Sequence, residues 1–288
     1  MGKALADAYP AARRIFDEAD DALSFPISRL CFEGPDDQLK LTENTQPALL
    51  TVSIAALAVL HENGRTADYV AGHSLGEYSA LVAAGSLSFA DAVRLVRKRG
   101  RYMQEAVPPG VGAMAALLKM PDGKLDAVLA EAAQGEVVTA ANLNSPEQIV
   151  IAGNAGAVGR AIELAKAAGA RRAVLLPVSA PFHCPLMTPA QRRLRADLDA
   201  TEFRDLTIPL VNNWQGREIR TGAEAREGLY QQVPNPVRWV DTIRYLASQG
   251  VTRAIEVGAG MVLTGLLRAI DPGIAGAKFG EPADLATL

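Results

Sequence analysis

The chain has 288 residues, 49% of them hydrophobic, and a formal net charge of −3. That length and apolar content suffice for a large buried core, in one domain or in a main domain carrying a smaller one. The charge balance gives no basis for nucleic-acid binding, no apolar run approaches the ~20 residues of a membrane span, and the start, MGKALADAYPAARRIF, lacks the apolar core of a signal peptide. Two cysteines, Cys31 and Cys184, make no disulfide framework and fit a reducing cytoplasm. Three histidines give no metal-site spacing.

Residues 2–23 read as a helix bent or broken near Pro10. TENTQPALLTVSIAALAVLHENG, 42–64, reads as a long, mostly buried helix starting just after Pro47. DYVAGH, 68–73, is a short strand, followed by a helix from Leu75 that Gly85 can close. A further helix over 88–107 opens on Ser88 and Asp91, spaced like a capping box, and stops at PPG, 108–110.

The pattern then changes. Strands are expected at 112–120, 136–143, 147–153 and 171–179, with helices at 123–133 and 155–169. That β-α-β-β-α-β order is the split-βαβ or ferredoxin-like one. Helices at 185–200, 236–250 and 261–270 then alternate with strands at 207–213 and 251–258, which implies a mainly parallel α/β sheet. The expected architecture is an α/β main domain, 1–108 plus 181–288, interrupted by a small domain at about 109–180.

Gly72-His73-Ser74-Leu75-Gly76 fits the G-x-S-x-G elbow, between a predicted strand and a predicted helix as that motif requires. In a strained turn, a Cβ at either flanking position would meet a neighbouring strand or helix. Ser74 would stand at the positive end of the following helix, with the Leu75 N–H aimed where an oxyanion forms. The plainer reading is a strand-to-helix turn with a capping serine. A serine hydroxyl needs a base. His61 lies at a helix end, and His73, in an extended turn, points away from Ser74. His183 remains, in the proline-bounded loop SAPFHCPL, where the chain returns to the main sheet. No acid stands out between Ser74 and His183, because most Asp and Glu residues there fall on exposed helix faces. A dyad oriented by a backbone or amide oxygen is as good a reading as a triad.

On the helix over 88–107, Leu95, Val96, Tyr102, Met103 and Ala106 share one stripe, while Arg94, Arg97, Lys98 and Arg101 lie opposite. Arg99 sits in the middle of the apolar stripe. A buried guanidinium must find a partner: either a structural salt bridge or a carboxylate that the substrate brings.

TENTQPALLTVSIAAL, AGHSLGEYSALVAAGSLSFADAVRLVRKRGRYMQEAVPPGVGAMAA, NLNSPEQIVIAG, LPVSAPFHC, VPNPVRW and EVGAGMVLTGL occur in that order. Through them the whole chain resembles the malonyl-CoA:acyl carrier protein transacylases of bacterial type II fatty-acid synthesis. The resemblance implies an α/β-hydrolase-like core with a ferredoxin-like insertion. It makes Ser74 the acylated nucleophile, His183 the base and Arg99 the partner of the malonyl carboxylate. Leu75 N–H becomes one oxyanion donor, and Gln232, in YQQVPNP, orients His183 through its backbone carbonyl. Phe182, beside the base, would limit acyl bulk and disfavour methylmalonyl. The implied partners are malonyl-CoA and acyl carrier protein, with a cytoplasmic, monomeric enzyme, no cofactor and no metal. Arg94, Arg97, Lys98, Arg101, Arg192 and Arg193 are candidates to meet the acidic carrier, although a solvated helix face is the plainer reading.

The implied reaction is ping-pong acyl transfer through a malonyl-serine ester. A hydrolase using water as acceptor and a non-catalytic scaffold are the rival readings. Members of this family open with a strand ending in Pro-Gly-Gln-Gly-Ser, whose glutamine supplies a second oxyanion contact. These 288 residues begin at Met1-Gly2-Lys3 and hold no such segment. One missing donor costs ~10²–10³ in rate, so a weakly active polypeptide is expected. Ala259 and Met261, where proline and a polar or basic residue are common, are expected to matter little for chemistry.

Overall fold

The computed structural model describes residues 1–178 and 180–288. Helices α1 (Lys3–Ala8) and α2 (Pro10–Leu23) part at the extended Tyr9, with Pro10 opening α2. A proline fits there because a first-turn N–H has no intrahelical acceptor to lose. Helices α3 (Ile27–Glu33) and α4 (Asp36–Leu39) follow, neither foreseen from the sequence. Helix α5 (Thr42–Glu62) begins before Pro47, not after it. Its first turn is held from outside: Leu41 C=O accepts from the Asn44 and Thr45 N–H groups, and the Asn44 amide donates to Gln38 C=O. Those ties, and burial of Ala48, Leu50, Val52, Ala55 and Ala56, outweigh the one backbone bond that Pro47 removes.

Strand β1 (Val70–Ala71) is shorter than the expected 68–73 and leads through the elbow into α6 (Gly76–Ala83). Helix α7 (Phe89–Glu105) is capped as read: Ser88 Oγ accepts from the Asp91 N–H at 3.1 Å. Then come β2 (Gly112–Leu118), α8 (Leu125–Ala133), β3 (Val138–Ser145), β4 (Gln148–Asn154), α9 (Ala155–Ala167) and β5 (Arg172–Leu175). The last strand ends earlier than the expected 171–179, and Ser179 lies outside the described residues. These four strands form one antiparallel sheet in the order β3-β4-β2-β5.

The chain continues through α10 (Thr188–Asp199), β6 (Leu210–Val211), β7 (Glu218–Ile219), α11 (Gly222–Gln232), α12 (Trp239–Ser248), β8 (Arg253–Val257), α13 (Val262–Ile270) and β9 (Ala275–Phe279). Strands β7 and β9 and helix α11 were not foreseen. β1 pairs parallel with β6, and β8 parallel with β9, but β7 turns back antiparallel on β6. The connection from Val211 to Glu218 is too short for a parallel crossover. Two small sheets therefore stand where one parallel sheet was expected.

Both small sheets lie between the same two cores, as period-2 alternation requires. Val70, Leu210, Ile255 and Phe279 face a large core with α2, α5, α6 and α7. Ala71, Val211 and Ala254 face a second core with α12 and α13. One face of the four-stranded sheet buries Ala115, Leu117 and Ile151 against α8 and α9. Its other face, with Met114, Val150 and Ala152, packs on Phe182, Cys184 and Leu186. That contact braces the loop that carries His183.

Candidate active site

Ser74 adopts φ 51°, a left-handed backbone that non-glycine residues rarely take. The turn is forced by close packing. A Cβ on Gly72 would sit 2.0 Å from the Gly76 carbonyl and 2.6 Å from the Glu77 nitrogen. Gly76 differs from the expectation: a Cβ there meets nothing within 4 Å, so only one flank of the elbow is closed sterically. Asn213 clamps the turn across its back. Its Oδ1 accepts from the Ser74 N–H at 2.6 Å, and its Nδ2 donates to Gly72 C=O at 2.7 Å. Leu75 has helical backbone at the entrance to α6, where first-turn N–H groups have no intrahelical acceptor.

His183 is buried and also left-handed, at φ 58°. Its Nε2 lies 2.7 Å from Ser74 Oγ, and its Nδ1 lies 3.0 Å from Gln232 C=O. A carbonyl only accepts, so Nδ1 carries the hydrogen and Nε2 is free to take the serine proton. Burial, then the nearby Arg99 charge, pushes the His183 imidazolium down to about 3. The ring is therefore a neutral base across the physiological range. His61, by contrast, is exposed at the end of α5. His73 turns away from the serine to Asn144 Oδ1 at 2.8 Å and sits edge-on to Trp239.

Arg99 is 2% exposed. Helix α7 approaches α5 so closely at Gly100 that a Cβ there would lie 2.5 Å from Thr42 C=O, and this places the guanidinium inward. Nη1 donates to Gln46 Oε1 at 2.7 Å; Nη2 donates to Gln232 Oε1 at 2.8 Å and to Ser74 Oγ at 3.1 Å. Among the described residues no carboxylate forms an ion pair with it, and Nε has no hydrogen-bond partner. The structural salt bridge weighed from the sequence is thus absent there. The opposite face behaves as read: Arg94 and Lys98 pair with Asp91 and Asp197, and Arg97 covers the Phe25 ring.

The structure therefore gathers Ser74, His183, Arg99 and Gln232 around one point, with Leu75 beside it. Phe182 is half-buried between the large core and the four-stranded sheet. Sequence reasoning missed three buried polar residues here: Gln46, Asn213 and Glu77. Glu77 Oε2 accepts from the Asn213 N–H at 3.0 Å and from Gln232 Nε2 at 2.8 Å. Glu77 is thus the buried exception among the acids between Ser74 and His183, most of which are exposed as read. Its signal was available: GEYSALVA is apolar on every side, the mark of a buried helix, so its one acid had to be buried with it. Among the described residues no cluster suited to a metal ion occurs, and no helix is long and apolar enough to cross a membrane.

Residues 1–272 match the family model for the acyl transferase domain. The malonyl CoA-acyl carrier protein transacylase of Bacillus subtilis (strain 168) is 51% identical over 272 residues, covering 94% of this chain and 86% of that protein. The structure of an acyl carrier protein S-malonyltransferase from Vibrio cholerae superposes with a TM-score of 0.97 at 43% identity, covering 100% of this chain and 94% of that one. A malonyl-transacylase solved in complex with a type II PKS acyl-carrier protein gives the same TM-score at 44% identity, covering 100% and 93%. With its elbow serine, its histidine and its matched length, the chain belongs to the acyl transferase family.

Proposed function

We propose that this protein transfers the malonyl group of malonyl-CoA to the phosphopantetheine thiol of acyl carrier protein, feeding fatty-acid synthesis in the cytoplasm. The observation that carries the reading is Arg99: a buried guanidinium without a carboxylate partner among the described residues, hydrogen-bonded to the nucleophile's own oxygen. A carboxylate one methylene away from a carbonyl on Ser74 Oγ reaches that guanidinium. The half-satisfied cation is the acyl group's recognition element.

In the first half-reaction His183 Nε2 removes the Ser74 proton as Oγ attacks the thioester carbonyl. The tetrahedral oxyanion forms beside the Leu75 N–H at the positive end of α6. His183 returns the proton to the departing thiol of CoA, which leaves a malonyl-serine ester. The carrier's thiol then attacks the ester by the same steps in reverse. Gln232 holds the base through its backbone carbonyl, so no acid is required behind the histidine. Phe182 bounds the acyl pocket beside the base. Residues 109–180 read as a ferredoxin-like insertion, supported by the β3-β4-β2-β5 order, and 1–108 with 181–288 read as a hydrolase-like core.

The test is intact mass after mixing with malonyl-CoA. One malonyl adduct is expected on the wild-type chain and none on Ser74→Ala, with discharge on adding holo acyl carrier protein. Steady release of free malonate without carrier would replace the transferase reading with a hydrolase.

A further inference from the structure

Glu77 is a fully buried acid that the acyl-transfer steps above do not use. It reaches the guanidinium through one side chain. Arg99 Nη2 donates to Gln232 Oε1, and Gln232 Nε2 donates to Glu77 Oε2. The orientation of that amide is fixed by chemistry, since arginine only donates while Glu77 Oε2 and Ser74 C=O, its other partner, accept. An amide dipole thus lies head to tail between a buried cation and a buried anion. Among the described residues packed around Glu77, charge comes only from Arg99 of α7. Tyr78 of its own helix has its phenol pushed up by burial, His183 is neutral, and α11 and the chain after β6 present the amides of Gln232 and Asn213.

We propose that Glu77 is the resident counter-ion of Arg99, relayed by the Gln232 amide, and that it takes up one proton from solvent when the carboxylate of an incoming acyl group occupies the guanidinium. The inference rests on the malonyl reading. Two carboxylates sharing one cation in a dry site cannot both stay ionised, because like charge and burial each favour the neutral acid. Glu77 is the one poised to yield. Burial already raises its carboxyl to about 7, against the pull of Asn213, Gln232 and Arg99, and neutralising Arg99 weakens that pull. Among the described residues its Oε1 has no hydrogen-bond partner, which leaves it open to carry the proton. The substrate's carboxylate stays charged because it gains the guanidinium directly.

The sign follows. Above about pH 7, Glu77 is ionised in the free enzyme, so binding a carboxylate requires a proton that becomes scarcer as pH rises. Apparent affinity for malonyl-CoA then falls, by at most about tenfold per pH unit. Acetyl-CoA, which brings no carboxylate, is insensitive.

The experiment measures the Ser74 acylation rate against malonyl-CoA concentration from pH 6.5 to 8.5, by quenched intact mass, for wild type and Glu77→Gln. In the wild type the half-saturating concentration should rise about tenfold between pH 7 and 8.5. In Glu77→Gln, which keeps an acceptor but no charge, it should hold constant while the maximal rate follows the wild-type pH trend. A flat wild-type half-saturation, or an unchanged slope in Glu77→Gln, overturns the inference. A companion measurement needs no variant. In weakly buffered solution at pH 8 the wild type should take up about one proton per site on mixing with malonyl-CoA, and none with acetyl-CoA. Uptake of none with malonyl-CoA likewise overturns it. Malonyl loading with neither effect sinks this inference alone, whereas failure to load malonyl at any pH sinks the malonyl reading and this inference with it.

Discussion

In the four-stranded sheet, Gly112–Leu118 pairs residue for residue with Asn154–Gln148, and the backbone satisfies itself through the ladder. Around Ser74 the flanking strands β1 and β6 contribute two residues each. Polar groups there are satisfied by side chains instead: Asn213 on Gly72 and Ser74, Gln232 on Glu77, Arg99 and the Ser74 carbonyl, Gln46 on Arg99. The first region is held by repetition, and loss of one side chain is local. The second holds two left-handed non-glycine residues, Ser74 and His183, in place with five buried polar side chains. Strain of that kind persists only where its surroundings over-determine it. Among the described residues, only Glu77 Oε1 and Arg99 Nε of these five side chains lack a hydrogen-bond partner.

That contrast can be broken by substitution. The larger effect is expected at Asn213→Ala, which leaves the Ser74 N–H and Gly72 C=O unpaired in a dry interior. We expect acylation to fall ~10²-fold, since small misplacements of a reacting group carry losses of that order, with about 2–4 kcal/mol lost in denaturant melts. Wild-type activity in Asn213→Ala would mean that the backbone alone holds the elbow. The smaller effect is expected in the sheet. Thr139 Oγ1 on β3 is buried and has no hydrogen-bond partner among the described residues. Thr139→Val removes an orphaned hydroxyl at nearly constant volume. Stability should therefore hold or rise by up to ~1 kcal/mol, with acylation unaltered. A clear loss of either would show that the small sheet is coupled to the site more tightly than its packing suggests.

The placement of a single residue in a marked local pattern is readable before folding. Arg99 stood out because a charge broke a 3.6-residue apolar stripe, and it is buried where that stripe put it. Ser74 was marked by its glycines, although only Gly72 proves sterically required. His183 came from elimination, and the family resemblance supplied Gln232. What stayed hidden was pairing over long separations. Nothing local in VNN says that Asn213 spans the elbow, or that Gln46 and Gln232 arrive at one guanidinium from α5 and α11. Strand limits were overextended because the apolar run around Val70 continues past the two residues that pair. Pro47 does not mark the start of α5 as expected, since the backbone carbonyls of Gln38 and Leu41, outside the helix, hold its first turn.

The proposed function requires that a buried guanidinium select the acyl group that Ser74 accepts. Single-turnover acylation by malonyl-CoA and by acetyl-CoA, in wild type and in Arg99→Ala, tests it most directly. The wild type should strongly prefer malonyl, and that preference should fall by at least ~10² in the variant, because a site built around one polar partner rejects analogues that lack it. A folded Arg99→Ala protein that kept the wild-type preference would contradict it.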